Sequence, residues 1–412
     1  MALASPSVVP VQTRSERPSS TDVTDFPAVT GREFEWKFAP LDRLRPLIEG
    51  VLDGSPVAFQ YSESAGTTVE WVDRATAVVG VAGTPEDRAS ANAWGAVEKV
   101  LQIRVTSEEA EELLVRREHF DQNPRAAHVV IEALPNSSGT VILEHRGDAD
   151  LSENVEIVVG EGAQLTVVTV QEWNDSAVHV SSHFATVGRD ANLRHVIVSL
   201  GGGVVRVNPS IHLAGQGSST DAFGLYFADA GQYLEQRPYI DHQAANTRSR
   251  VNYKGALQGA KAHTVWVGDV LIGPHADGTD SYEQNRNLVL SDGTRADSIP
   301  NLEIETGNIV GAGHASSTGR FDDEQLFYLQ SRGISEEEAR RLVVRGFLAE
   351  IITQIGSPAL EERLTAAVEA ELVEAEVVRA AAGAASDGAA AAAAGAGAAG
   401  AAAASAPSGG DS

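Results

Sequence analysis

A chain of 412 residues with 42% hydrophobic and 21% charged residues can bury a large core, arranged as two or three units or as one elongated architecture. Its formal charge of −26 at pH 7, from 57 acidic against 31 basic residues, disfavours non-specific attraction to nucleic acid or anionic lipid, so a protein or small-molecule partner is expected. The absence of cysteine excludes a disulfide framework and any thiolate metal site built by this chain alone.

No apolar run approaches the ~20 residues of a membrane-spanning helix. The first residues, MALASPSVVPVQTRSERPSSTDVTDFP, have neither the basic start nor the continuous apolar core of a secretory signal. A cytoplasmic protein is the expectation. Residues 1–30, rich in Ser, Thr, Pro and charge without periodicity, read as a disordered or weakly held arm. Residues 31–124 read as a mixed, helix-containing region. Pro40 there precedes Leu41, Leu44, Leu47 and Ile48, spaced for one face of a short amphipathic helix, with Pro46 the one unfavourable residue in it. Acidic starts and helical spacing predict further helix within 85–120, with Thr106 and Glu109 as a capping box.

Residues 125–312 change character. Runs of four to eight residues rich in Val, Ile, Leu and Thr alternate with Gly, Asp, Asn and Ser turns. A quasi-repeat starts at Gly160, Gly188 and Gly215, with a further copy at Gly259. Turn-then-strand units of this period predict stacked coils, a parallel β-helix, with an antiparallel sandwich as the competing architecture. Residues 313–378 read as helical. Gly333 divides two segments, Ser335 and Glu338 form a capping box, and Leu342, Val343, Phe347, Ile351 and Ile355 trace an apolar stripe. Another helix is expected after Pro358. Residues 379–412, an Ala/Gly tract with no large side chains, read as a flexible tail.

Candidate chemistry is sparse. No phosphate-binding loop occurs, and GGGVV at 201–205 has no lysine after it, so no nucleotide is expected on this chain. No H-E-x-x-H or G-x-S-x-G is present. The polar stretches 241–250 and 280–305 fit hydrogen-bonded ladders at coil turns, or else an assembly surface or internal polar path. His179 and His183 would stand about 13 Å apart on a strand, too far to chelate one ion. His314 lies in NIVGAGHASSTG, which reads as a turn-rich break before the C-terminal helices. Its imidazole could reach outward as a nitrogen ligand to iron or zinc, although a lone histidine cannot hold a metal.

Three blocks carry a family resemblance: DHQAANTRSRVNYKGAL, YEQNRNLVLSDGTRADSIPNLEIE and GHASSTGRFDDEQLFYLQSRGISEEEARRLVVRGFLAEII. They resemble the SufB/SufD proteins of iron-sulfur cluster assembly, less sharply from 125 to 370, and REFEWKFAPLDRL is similar to that family's N-terminal element. The resemblance implies a mainly β fold, a right-handed parallel β-helix core flanked by an N-terminal mixed or helical region and a C-terminal helical region. It also implies a non-catalytic scaffold subunit in a cytoplasmic complex with a SufB-like homologue and a SufC-like ABC ATPase. A transient iron-sulfur cluster would form at the interface of the two β-helix subunits. The SufB branch carries the essential cysteine and the SufD branch a histidine matching His314, so a cysteine-free chain resembles the SufD branch. Many relatives have a cysteine two residues before that histidine; here the position is Ala312. Residues 334–375 would dock the ATPase. Two other readings stand beside this one. In one, the chain is a purely structural scaffold whose His314 only packs. In the other, a β-helix enzyme acts on polysaccharide, which predicts a secretion signal and a carboxylate cluster that the sequence does not show.

Overall fold

The computed structural model describes residues 17–118, 120, 123–320 and 323–373. The expected tail at 379–412 and the first sixteen residues of the expected arm lie outside them. From Lys99 onward the strands stack in parallel, each residue facing one a coil further along the chain. Pro124 lies opposite Asp150, Asp150 opposite Val178 and Val178 opposite Val204, which makes coils of 26, 28 and 26 residues. Later coils lengthen: Tyr233 faces His263 and His263 faces Arg295, 30 and 32 residues on. The result is a β-solenoid of about 8 turns. Among the described residues, antiparallel pairing is confined to its start, where Gln60–Tyr61 meets Glu111–Arg117 and Thr67–Asp73 meets Lys99–Val105.

Two sheets, nine- and ten-stranded, form the walls. The turn chemistry legible in the sequence builds the corner between them. Asn136, Asp190 and Asn246 adopt positive φ, as do Gly162 and Gly217 in the coils between them. Each of these five donates its backbone N–H to the turn of the next coil, from Asn136 to Glu161 (2.8 Å) through to Asn246 to Asp277 (2.7 Å). Such left-handed positions suit Gly, Asn and Asp. Gly160, Gly188 and Gly215 stack at the same corner, each donating to the coil before it, and Gly273 continues the row. Gly259 belongs to the opposite corner, so its spacing from Gly215 mixes two turn series.

The central strands, from Pro124–Ala133 to His263–Ile272, are largely buried on both faces, which explains their near-continuous apolar runs. One core fills the lumen along its length, from Leu101, Ile103 and Val105 through Val129, Ile157, Val187 and Leu213 to Val270 and Ile272. The ten-stranded sheet is covered outside by helices Leu41–Glu49 and Arg88–Ala96, whose Leu44, Leu47, Ile48, Ala89 and Ala93 pack on Val178, Val180 and Val204. The nine-stranded sheet is covered by the C-terminal helices, Glu336–Ile352 and the one starting at 358.

The helix over Leu41–Glu49 forms with Pro46 inside it. Thr106 and Glu109 cap nothing: they lie between strands Lys99–Val105 and Glu111–Arg117, and Thr106 Oγ1 donates to the Gly66 carbonyl instead. The alternation of Leu101, Ile103 and Val105 into the lumen outweighs the helical spacing there. Residues 17–30 of the expected arm are pinned down, with Phe26 and Val29 buried and Arg17 paired with Glu86 and Asp269. The cap expected at Ser335 does form, its side chain accepting the backbone N–H of Glu338. The apolar stripe is turned from the predicted one: Val344, Leu348, Ile351, Ile352 and Ile355 are buried, while Leu342, Val343 and Phe347 are only half-buried. GGGVV is a buried turn leading into strand Val204–Leu213, with Gly202 at φ +99.

Candidate functional site

The segment NIVGAGHASSTG is not a break before the helices. Ile309–Arg320 is the last strand of the nine-stranded sheet, paired in parallel with Thr279–Val289. Gly and Ala have weak strand preference, and the hydrogen bonds to the preceding coil override it. In that register Glu283 lies opposite His314. Neighbours in parallel strands point to the same side, so His314 points toward the lumen with Glu283.

The two side chains differ sharply in exposure. His314 is 45% exposed because its strand ends the sheet, whereas Glu283 is 1% exposed. His314 Nδ1 stands 3.8 Å from Glu283 Oε1, and that oxygen has no hydrogen-bond partner. Burial, reinforced by the charge of Asp269, pushes the Glu283 carboxyl up to about 8, partly countered by the backbone N–H of Asn301. Glycine at 268 makes room: a Cβ there would collide with both the Trp266 ring and the Glu283 carboxyl. An exposed imidazole of this kind offers one coordination position, and a complete metal site needs further donors from elsewhere.

Behind this end the lumen is polar. Tyr226 Oη donates to Asn287 Oδ1 (2.7 Å) and accepts from Asn285 Nδ2 (2.8 Å), while Ser298 joins both asparagines. A second ladder runs at the corner, where His242 bridges Thr247 and Ser249, which contact Thr279 and Ser281. The stretches 241–250 and 280–305 thus supply ladders at the turns and also inside the coil.

A second group lies deep in the lumen. Among the described residues, His145, Glu153 and His179 are the only three such donors with atoms within 4.8 Å of one another. Arg117 pairs with Glu153 and also contacts His145 Nε2 at 2.5 Å; Trp173 Nε1 donates to His179 Nδ1 at 3.2 Å. Burial, aided by Arg117, holds His145 down to about 4, and burial lowers His179 as well. Burial alone would raise Glu153, but the Arg117 guanidinium and His145 outweigh it and its carboxyl falls well below the usual range. One guanidinium, one carboxylate and two neutral imidazoles already balance, and a cation would sit unfavourably against Arg117. The group is a core ion pair.

His179 and His183 do not share a ligand position. His179 faces Glu153, while His183 Nδ1 meets His195 Nε2 at 2.9 Å. Glu283 was not legible as a site residue, because only the register of one coil on the next brings it under His314.

Fold and site together define a β-solenoid with an exposed imidazole on its final strand. Comparison with known sequences supplies the class: a family model described as SUF system FeS cluster assembly, SufBD core domain, matches residues 116–347. An iron-sulfur cluster assembly SufBD family protein of Mycobacterium leprae is 48% identical over 368 residues, spanning 86% of this chain and 93% of that one. A counterpart from Mycobacterium tuberculosis (strain ATCC 25618 / H37Rv) is 48% identical over 364 residues, 86% and 92% of the two chains. One from Staphylococcus epidermidis is 32% identical over 195 residues, 47% and 41%. The chain belongs to the SufBD family of iron-sulfur cluster assembly proteins.

Proposed function

We propose that this chain is the SufD-type subunit of a cytoplasmic complex with a SufB-like homologue and a SufC-like ATPase, and that His314 gives one imidazole to a cluster forming between the two solenoids. The observation that carries this reading is the exposed His314 on the terminal strand of a chain with no cysteine. Any cluster held here takes its thiolates from another chain. One imidazole, a weaker donor than thiolate, suits cargo that must leave. The subunit itself is a non-catalytic scaffold, with ATP hydrolysis in the partner.

Two surfaces support the assembly. Strand Ile309–Arg320 ends its sheet, and Val310 and Tyr282 beside it are exposed apolar side chains. An exposed sheet edge is a template for pairing with a second solenoid. The helix Asp323–Ser331 shows Phe327 and Tyr328 to solvent, close before the region assigned to ATPase docking. The competing reading, a scaffold whose His314 merely packs, is disfavoured by the side chain's exposure.

Affinity purification of the tagged chain is expected to recover an ABC-type ATPase and a cysteine-bearing homologue; recovery of neither defeats the assignment. In the purified complex, anaerobic reconstitution followed by absorption spectroscopy tests the ligand. His314→Ala should leave assembly intact and reduce cluster formation, and undiminished cluster formation would remove the ligand role.

A further inference from the structure

We infer that Glu283 is a positioning residue for His314: its carboxyl oxygen Oε1 accepts the Nδ1–H of the imidazole from the lumen side and leaves Nε2 bare at the open end of the solenoid. Its functional weight rests on His314 being a ligand, whereas the orientation and tautomer stand on geometry alone.

Four observations converge. The register of one coil on the next places the two residues side by side on the same face. Of the two ring nitrogens it is Nδ1 that faces the carboxyl, at 3.8 Å, so Nε2 lies on the far side of the ring. Glu283 Oε1 is a buried acceptor with no partner, and a buried acceptor left unmade costs free energy. The imidazole is 45% exposed and the carboxyl 1%, so closing the remaining gap falls to the ring.

The chemistry gives this arrangement a purpose. Neutral imidazole carries one N–H, and a metal takes the other nitrogen, so whatever binds the N–H selects the coordinating atom. Ligand histidines commonly donate their second N–H to a carboxylate, which fixes ring orientation and raises basicity. Direct ligation by Glu283 is the weaker reading. Its side chain is 1% exposed against 45% for the imidazole, so an approaching ion meets the imidazole first.

The test uses the full chain labelled with 15N-histidine at pH 7.5, with His314 signals assigned from His314→Gln. Two-bond nitrogen–proton correlation spectra report the tautomer. The Nδ1–H form is expected in the wild type and in Glu283→Gln, whose amide oxygen accepts the same hydrogen. Glu283→Met, similar in volume but without an acceptor, should shift His314 toward the Nε2–H form; Glu283→Leu replaces it if the Met variant fails a thermal melt. An unchanged tautomer in the apolar variant overturns the proposal. In the reconstituted complex, the apolar variant should lower cluster formation about tenfold, the low end for loss of such a partner, with Gln restoring it. A shifted tautomer together with a silent His314→Ala would uphold the positioning and defeat only the ligand reading.

Discussion

Arg117 and Glu153 form an ion pair in the solenoid lumen, each side chain only 1% exposed, although 36 residues separate them in the chain. Removing one partner strands a charge in the interior. Glu153→Ala should destabilise the fold by about 3–5 kcal/mol in urea unfolding, whereas the paired apolar replacement Arg117→Met with Glu153→Leu should recover most of the loss. An equally large loss in the double variant would show that the network has a role beyond mutual compensation.

Buried histidines make the fold acid-sensitive. Burial holds His195 down to about 4 from 6.5, so the folded protein keeps it neutral while the unfolded chain protonates it first. Between pH 6.5 and 4 the unfolded state binds more protons. The stabilisation is therefore fully present above pH 6.5 and is lost as pH falls through that window. By pH 5 the loss reaches roughly 2 kcal/mol for one such group. Urea titrations at pH 7.5 and 5 should show His195→Gln losing less stability between the two pH values than the wild type.

The C-terminal helices are held by apolar packing on the outer face of the nine-stranded sheet. Leu348 is fully buried against this layer, with Val344, Ile351 and Leu364. Leu348→Ala should cost about 2–5 kcal/mol of that contact. Hydrogen exchange should quicken in helix Glu336–Ile352 and stay slow in the central strands, because the lumen core is a separate cluster.

Val310, 76% exposed on the terminal strand, separates folding from association. Val310→Asp should change stability by less than about 0.5 kcal/mol. If the edge pairs with a second solenoid, the same variant should weaken co-purification with the SufB-like chain, and unchanged recovery would place the interface elsewhere.

Much of the fold was legible because its devices are local. Turn residues at Asn136, Gly162, Asp190 and Gly217 mark one corner of successive coils, and the Val/Ile runs between turns announce strands buried on both faces. Ser335 caps its helix as spacing predicted. Local preference gives way where a long-range partner competes with it. Gly311, Ala312 and Gly313 look like a turn, yet they extend because Thr279–Val289 offers them a ladder. Thr106 and Glu109 look like a capping box, yet their neighbours alternate into the lumen.

Composition by itself determined that this chain brings no thiolate, and motif and turn spacing pointed to stacked coils with a histidine near their end. Tertiary structure decided what surrounds that histidine. Glu283 reaches His314, and Arg117 reaches His145 and Glu153, only when one coil of about 30 residues lies on the next. A strand's own period of two says which residues face inward, but the length of each turn decides which inward residues become neighbours.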